Sequence, residues 1–222
     1  MIKLKPRLKM AADMVRQGSR VADIGTDHAY LPACLILEGK IPSAIGADLR
    51  KGPLENAEAT VRANNIADRV QLRLSDGLNF VMPDEVDDIV IAGMGGILIA
   101  EILTAAPWVK DKSKRLILQP QSHSEDVRKY LFDNGFEIME ENACFEDGKV
   151  YICLCAEYTG NIQSHTEGEI LFGKFIGRTD EASKAFKDKK LKRINIRLQA
   201  LRSTDPDNEE IIKLQNILDE VK

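Results

Sequence analysis

The first 158 residues contain five short apolar segments, and a helical pattern follows four of them. The predicted strands are 20–24, 43–48, 70–74, 87–93 and 115–120, and the predicted helices are 31–38, 53–64, 95–106 and 124–134. Because strands that alternate with helices pair in parallel, this order indicates an α/β fold with a doubly wound sheet. Residues 136–158 predict a hairpin that turns at Asp147-Gly148 and adds antiparallel strands at one edge.

The chain changes character after Tyr158, where the polar joint TGNIQSHTEG (159–168) begins. Apolar residues at helical spacing over 169–201 and 211–221 flank the break STDPDNEE (203–210). This pattern predicts a helical hairpin of the coiled-coil kind. We therefore expect two domains, 1–158 and 159–222.

The composition argues against a membrane-spanning, secreted, metal-binding or disulfide-rich protein. No apolar run reaches the roughly 18 residues of a membrane span, and the first residues lack a signal-peptide pattern. The four cysteines form no CxxC pair and only three histidines are present, so neither a metal site nor a disulfide framework is expected. A reducing, cytoplasmic setting is expected.

Positive charge is concentrated at the two ends of a chain whose net charge is −4. Residues 1–20 hold six basic residues against one acid, or +5, and residues 184–202 hold eight against one, or +7. One interpretation is solvated helix faces; the other is contact with RNA phosphates. The candidate RNA-binding residues are Lys5, Arg7, Lys9, Lys189, Lys192 and Arg193.

The segment VADIGTDHAYLP (21–32) holds the most informative local pattern. Gly25 follows a buried strand and allows a tight turn at the strand end, where this fold binds ligands. Asp27 replaces the second glycine of a dinucleotide loop and would repel a pyrophosphate. Asp27 and Asp23 suit a cation instead, such as S-adenosylmethionine (AdoMet) with its sulfonium and ammonium groups. The alternative for both is capping and turn formation.

Two further carboxylates follow predicted strands. Asp48 closes the second strand 23 residues after Gly25, near the ~20-residue spacing at which an acid accepts ribose hydroxyls. Asp76 and Gly77 follow the third strand, where a carboxylate could accept the adenine amino hydrogen. The segment at Asp76 would look the same as a plain turn.

The segment IAGMGG (91–96) follows the fourth strand. Its glycines, with Met94 between them, predict close backbone approach to a cofactor methyl and an acceptor base. Gln119 and Gln121 follow the fifth strand and could contact a base edge. His28 and Tyr30 flank the first loop, and Tyr30 could stack on a base, meet the sulfonium by cation–π contact or belong to the core.

VADIGTDHAYLP, IAGMGG, LILQPQ (116–121) and the Arg7-Leu8 start closely resemble the bacterial tRNA adenine-N1 methyltransferases, the TrmK family. The resemblance spans essentially the whole chain. It implies a Rossmann-like AdoMet-dependent domain with a coiled-coil extension that methylates N1 of adenosine 22 in the tRNA D-arm. By motif match, the predicted cofactor-binding residues are Asp23, Gly25, Asp27, Asp48, Asp76, Gly77, Gly93, Met94, Gly95 and Gly96.

For such a reaction, N1 of adenine has its own lone pair, so in-line placement matters more than a base. We take Asp27, His28, Tyr30 and Gln119 as candidate catalytic residues, with Asp27 stabilising the cationic methylated adenine. The expected partner is tRNA, with neither metal nor membrane, and the chain is expected to be a monomer or weak dimer. The alternatives are methylation of another RNA or a small molecule, and a non-catalytic RNA-binding adaptor.

Overall fold

The computed structural model describes residues 2–162 and 164–221, which form one seven-stranded sheet flanked by helices. The strands are β1 Val21–Ile24, β2 Ala44–Asp48, β3 Val70–Leu74, β4 Asp88–Gly95, β5 Arg115–Ser122, β6 Phe136–Glu146 and β7 Lys149–Tyr158. The helices are α1 Pro6–Met14, α2 Tyr30–Leu37, α3 Lys51–Ala63, α4 Gly96–Ala105, α5 Ser124–Asp133, α6 Glu167–Phe172, α7 Glu181–Thr204 and α8 Glu210–Glu220.

The strand order is β3-β2-β1-β4-β5-β7-β6, and the pairs from β3 to β5 are parallel. The predicted hairpin forms with its turn at Asp147-Gly148, and β7 pairs antiparallel with β5. The order reverses at β1, with β2 on one side and β4 on the other. Ligands of open α/β sheets bind beyond the carboxyl ends of the strands at such a point, so the loops after β1, β2 and β4 form the candidate site.

Apolar side chains cover both faces of the sheet. One core cluster includes Ile24, Ile89 and Leu118, and the other includes Val21, Val90 and Ile117. Cys153 and Cys155 lie in the second cluster as buried free thiols, as their spacing predicted. Both faces of the central strands are therefore sealed, and only their ends can meet a ligand.

The sequence interpretation missed helix α1. It buries Met10, Ala11, Ala12 and Met14 against the sheet, and Pro6 occupies its first turn, where the missing N–H costs nothing. The strong positive charge of residues 1–20 hid this short apolar face.

The helix predicted over 169–201 is interrupted. Gly173 and Gly177 have φ values of 55° and 76°, and Asp180 begins α7 by accepting a hydrogen bond from the Ser183 amide. These turn residues end α6 and start a new helix, although apolar periodicity continues across them. The two helices α7 and α8 form the predicted hairpin, and Phe172, Ile194, Ile217 and Val221 pack together at its base. In the described ranges 2–162 and 164–221, no helix is long and apolar enough to cross a membrane.

Candidate active site

The turn after β1 is built tightly against its neighbours. The amides of Gly25 and Thr26 both donate to the Ala47 carbonyl, at 2.8 and 3.0 Å, and Gly25 has a φ of 76°. A β-carbon on Gly25 would lie 2.5 Å from the terminal carbon of Met94. The positive φ favours glycine here, and the turn after β1 lies against the glycine-rich segment.

Asp23 lies behind this turn with its carboxylate buried. It accepts a hydrogen bond of 2.7 Å from the Thr26 hydroxyl, which holds the turn in shape. Burial, together with the negative charge of Asp48, raises the pKa of Asp23 to about 6. A cation at this edge of the sheet would be stabilised by both carboxylates.

Asp48 ends β2 and is almost fully buried. One of its oxygens accepts from the Arg50 amide at 2.9 Å and lies 3.9 Å from the Arg50 Nε. The amide contact fixes the carboxylate while the other oxygen makes no protein hydrogen bond among the described residues. This geometry suits a bidentate acceptor for two neighbouring hydroxyls, the role that the spacing predicted.

The segment after β3 forms a turn, as expected from the alternative to an adenine-binding role for Asp76. The Ser75 hydroxyl donates to the Gly77 carbonyl at 3.0 Å and accepts from the Phe80 amide at 3.2 Å. Asp76 is exposed on the outside of this turn. The contact of Asp76 with an adenine amino group stays a prediction.

The loop of Asp27, His28 and Tyr30 presents polar and aromatic groups to solvent. Asp27 and Ala29 both have a φ near 50°, which turns the Asp27 carboxylate outward, 3.7 Å from the His28 Nε2. The rings of His28 and Tyr30 stack with centroids 5.0 Å apart and an interplanar angle of 6°. A carboxylate beside two stacked rings can meet a cationic or aromatic ligand, so these three candidates share one exposed surface.

Strand β4 does not end at the first glycine of IAGMGG, contrary to expectation. It continues beside β5 to Gly95, with register shifts on either side of Met94. Gly93 takes a φ of 84° at this irregularity, so the segment is a distorted strand whose backbone bends toward the site.

Gln119 holds this distortion in place and is not free to contact a base edge. Its side chain is fully buried, accepts from the Gly93 amide at 3.1 Å and donates to the Pro120 carbonyl at 3.3 Å. The candidate catalytic role of Gln119 is therefore corrected to a positioning role. The exposed amide is that of Gln121.

Gly96 is packed against protein, and its predicted place in the cofactor region stays a prediction. A β-carbon there would lie 1.9 Å from the His123 carbonyl oxygen. Gly96 permits the start of α4 to pack against the loop after β5, and no cofactor contact is needed to explain it.

Arg7 was expected to contact RNA, but its place beside Gly93 was missed. A β-carbon on Gly93 would lie 3.7 Å from an Nη of Arg7 and 3.6 Å from the side-chain nitrogen of Gln121. The Arg7 guanidinium also lies over the Tyr151 ring, 5.5 Å from its centroid. Only the unpredicted helix α1 could have indicated this position.

The predicted RNA-binding residues fall into two groups. At the amino end, Lys5 pairs with Asp147, Arg7 with Glu146 and Lys9 with Asp13. On α7, Lys189, Lys192 and Arg193 are exposed, and none has an ion-pair partner among the described residues. The sequence count of positive charge thus overstates the free charge at the amino end. On α7, Lys190 and Arg197 are paired with Glu125 and Glu210, whereas the three predicted residues stay unpaired.

No group of three or more His, Cys, Asp or Glu residues that could hold a metal ion occurs within 2–162 and 164–221. The carboxylates of Asp23 and Asp48 and the bent backbone at Gly25 and Gly93 instead fit an organic cation with a ribose.

Comparison with known proteins matches residues 4–154 to a family model described as a methyltransferase domain. Over 186 residues the chain is 40% identical to the tRNA (adenine(22)-N(1))-methyltransferase of Bacillus subtilis, covering 82% of this chain and 78% of that protein. The chain belongs to the tRNA (adenine(22)-N(1))-methyltransferase family. This confirms the resemblance drawn from VADIGTDHAYLP and IAGMGG.

Solved members of this family share the whole architecture. The crystal structure of the B. subtilis m1A22 tRNA methyltransferase TrmK matches with a TM-score of 0.86 and 31% identity, covering 100% of this chain and 97% of that one. A Streptococcus pneumoniae structure in complex with S-adenosyl-L-methionine matches with a TM-score of 0.84 and 33% identity, covering 98% of this chain and 100% of that one. The likeness includes the C-terminal helices as well as the sheet, which confirms the predicted fold class.

Proposed function

We propose that this chain transfers the methyl group of AdoMet to N1 of adenosine 22 in the D-arm of tRNA. The observation that supports this most is the meeting of two elements at the switch point of the sheet. Two adjacent carboxylates there suit a cationic cofactor, and the polar ends of Arg7 and Gln121 lie beside Gly93, where they can contact an acceptor base. In a member of this family, that juxtaposition supports a site at which the methyl donor and the acceptor base meet.

The cofactor would lie along the ends of β1, β2 and β3. Asp48 would accept the ribose hydroxyls, Asp23 would balance the positive charge of the methionine end, and Asp76 would accept from the adenine amino group. When bound, AdoMet supplies an electrophilic methyl group. The turns at Gly25 and Gly93 let backbone approach it closely.

The chain's part in the chemistry is placement. N1 of adenine attacks with its own lone pair, so the residues around Gly93 need only hold the base in line. Gln121 is the exposed amide nearest this point and can orient the base edge. Asp27 can stabilise the positive charge that the base gains, with His28 and Tyr30 forming a wall beside it.

N1 lies on the pairing edge of adenine, so the base must leave its stack, which costs a few kcal/mol in a duplex and less in a loop. RNA contacts elsewhere must offset that cost. The exposed cations of α7 supply them, and this favours an RNA over a small-molecule substrate. A tRNA substrate agrees with the cytoplasmic setting and the monomer or weak dimer that we expect.

The test is incubation with purified tRNA and labelled AdoMet, followed by nucleoside analysis. We expect N1-methyladenosine, with mild digestion because hot alkali rearranges it to the N6 isomer. A tRNA with guanosine in place of adenosine 22 should stay unlabelled while binding within a few-fold, since backbone contacts dominate affinity. Undiminished labelling of that tRNA would contradict the site, and label on another base would contradict the chemistry.

A further inference from the structure

A cleft of about 300 Å³ opens beside the Gly93 region and is not accounted for by the cofactor or the target base. It lies between the end of β5 and the start of β7, and α7 forms its third wall. Its lining includes Gln121, Tyr151, Phe186, Lys189 and Arg193. Aromatic and cationic side chains thus face one space.

The cleft results from the divergence of two strands. The β5–β7 ladder covers Arg115–Leu118 and Leu154–Glu157. Beyond it, β5 follows the distorted end of β4, where Pro120 pairs with Met94 and Ser122 with Gly95. The distortion that bends Gly93 into the site therefore also separates β5 from β7.

The charge of the cleft is positive. Lys190 is paired with Glu125 at 2.6 Å, so it adds little net charge. Lys189 and Arg193 lie one turn apart on α7, exposed and without an ion-pair partner in the described part of the chain. Two free cations beside an aromatic ring match a nucleotide, with its anionic phosphate and flat base.

The cleft is continuous with the place of methyl transfer. Gln121 lines it and lies beside Gly93, and the Arg7 guanidinium near Gly93 also covers the Tyr151 ring. The Nε of Arg7 is buried 3.8 Å from a Glu146 carboxylate oxygen and has no hydrogen-bond partner among the described residues. A chain of nucleotides that places one base at Gly93 would place its neighbour in the cleft.

We propose that this cleft is a subsite for the nucleotide adjacent to the target adenosine. Its phosphate is held by Lys189 and Arg193, and its base lies against Tyr151. The proposal rests on the proposed function and deepens it. It makes the enzyme extrude two neighbouring nucleotides and hold both.

The first experiment couples a change in the protein to a change in the RNA. Synthetic tRNAs carry an abasic nucleotide at position 21 or 23, and steady-state methylation is measured with the wild-type chain and with Tyr151→Leu. We expect one of the two abasic tRNAs to raise KM for the wild type about tenfold, the scale of a lost base stack. With Tyr151→Leu the same abasic change should have no further effect, and Tyr151→Phe should restore the response.

The second experiment removes charge. Lys189→Gln with Arg193→Gln should raise KM for tRNA about tenfold and reduce the salt dependence of binding by about 0.7 log units per log of salt, the value for one phosphate. The matched control is Lys110→Gln with Lys112→Gln, which removes two exposed lysines that lie outside the cleft and outside α7. This control should keep both KM and salt dependence near wild type.

The outcomes separate the two proposals. If the wild-type chain does not methylate tRNA, the proposed function fails and this inference with it. The wild type can be active while each abasic tRNA raises KM by the same factor in Tyr151→Leu as in the wild type. In that case the proposed function stands and only the subsite is wrong. AdoMet affinity and the thermal unfolding temperature of every variant should match those of the wild type. If Tyr151→Leu lowers both, Tyr151 is structural, and this also overturns the subsite.

Discussion

Asp23 and Asp48 lie at the same edge of the sheet but meet a ligand differently. Within residues 2–162 and 164–221, one oxygen of Asp48 has no protein partner, whereas Asp23 is enclosed and bonded to Thr26. A contact made by Asp48 is direct, and one made by Asp23 is mainly electrostatic. Substitution and pH should therefore separate their roles.

Asp48→Ala should weaken AdoMet binding, because loss of a charged acceptor costs about 1.5–3 kcal/mol, or roughly 10–150-fold in Kd. Isothermal titration calorimetry measures this. The matched control is Asp68→Ala, since Asp68 is exposed just before β3, at the opposite end of the strands. Unchanged affinity for Asp48→Ala with an intact fold would mean that the ribose is held elsewhere.

AdoMet affinity should fall as pH drops through about 6, where the buried Asp23 gains a proton. The pKa of Asp23 is raised in the free protein, so its ionisation above that pH costs folding free energy, and a bound cation offsets this cost. Below the pKa, Kd should rise by up to about tenfold per pH unit. Calorimetry from pH 5 to 8 measures the trend, and Asp23→Asn should flatten it. A wild-type profile as flat as that of Asp23→Asn would exclude the linkage.

Local patterns were enough to predict that Gly25 and Asp48 lie at strand ends, because each position depends on its own strand; their contacts with AdoMet stay predictions. Gln119 was assigned wrongly for a non-local reason. Its burial follows from β4 running past Gly93 beside β5, and no pattern within either strand encodes that pairing.

At the scale of elements, the end of β4 and the start of α4 decide the shape of the site. The irregular pairing at Met94 turns the strand, and Gly96 lets α4 begin directly under the loop after β5. The sequence predicted all seven strands, since each has a strong apolar pattern. It missed α1 and the break before α7, where tertiary packing and turn residues overrule periodicity.

Gly96→Ala should destabilise the protein by about 1–3 kcal/mol, because the added methyl group meets the His123 carbonyl, a backbone atom. The gain in helix propensity of about 1 kcal/mol does not offset this clash. Urea unfolding measures the free energy of unfolding of this variant. Gly52→Ala is the control, because it gains helix propensity without a clash. Gly52 lies in α3 with open space around it, so that variant should be neutral or slightly stabilised. Equal stability of the two variants would refute the packing argument.

At the scale of the molecule, a buried ion pair joins the C-terminal helices to the sheet. Arg128 of α5 and Glu141 of β6 are both fully buried, with Nε and Oε1 2.8 Å apart. Arg128 also donates to the carbonyls of Ile170 and Leu171, and Glu141 accepts from the Lys174 amide at 2.7 Å. The boundary predicted at Tyr158 follows composition, whereas these bonds make residues 167–175 part of the first domain's packing. We propose that the extension proper begins at α7.

Arg128→Ala should destabilise the protein by about 3–5 kcal/mol, since it leaves Glu141 buried without its partner. It should also uncouple the helices from the sheet. Unfolding followed by Trp108 fluorescence and by far-ultraviolet circular dichroism should coincide in the wild type and diverge in the variant.

The control for Arg128→Ala is Lys129→Ala, whose exposed pair with Asp133 should contribute less than about 1 kcal/mol. Coincident transitions in Arg128→Ala would mean that other contacts dock the helices.

Helix α7 is packed against the sheet at its amino end, where Phe186 joins Phe175 and Ile152 in one cluster. Its 24 residues extend about 36 Å from that point. An RNA that lies along α7 is therefore held in a fixed position relative to the reacting base. We expect such an enzyme to select its target by the distance of the base from the body of the RNA. Neighbouring adenosines of identical chemistry then lie at the wrong distance and are not methylated.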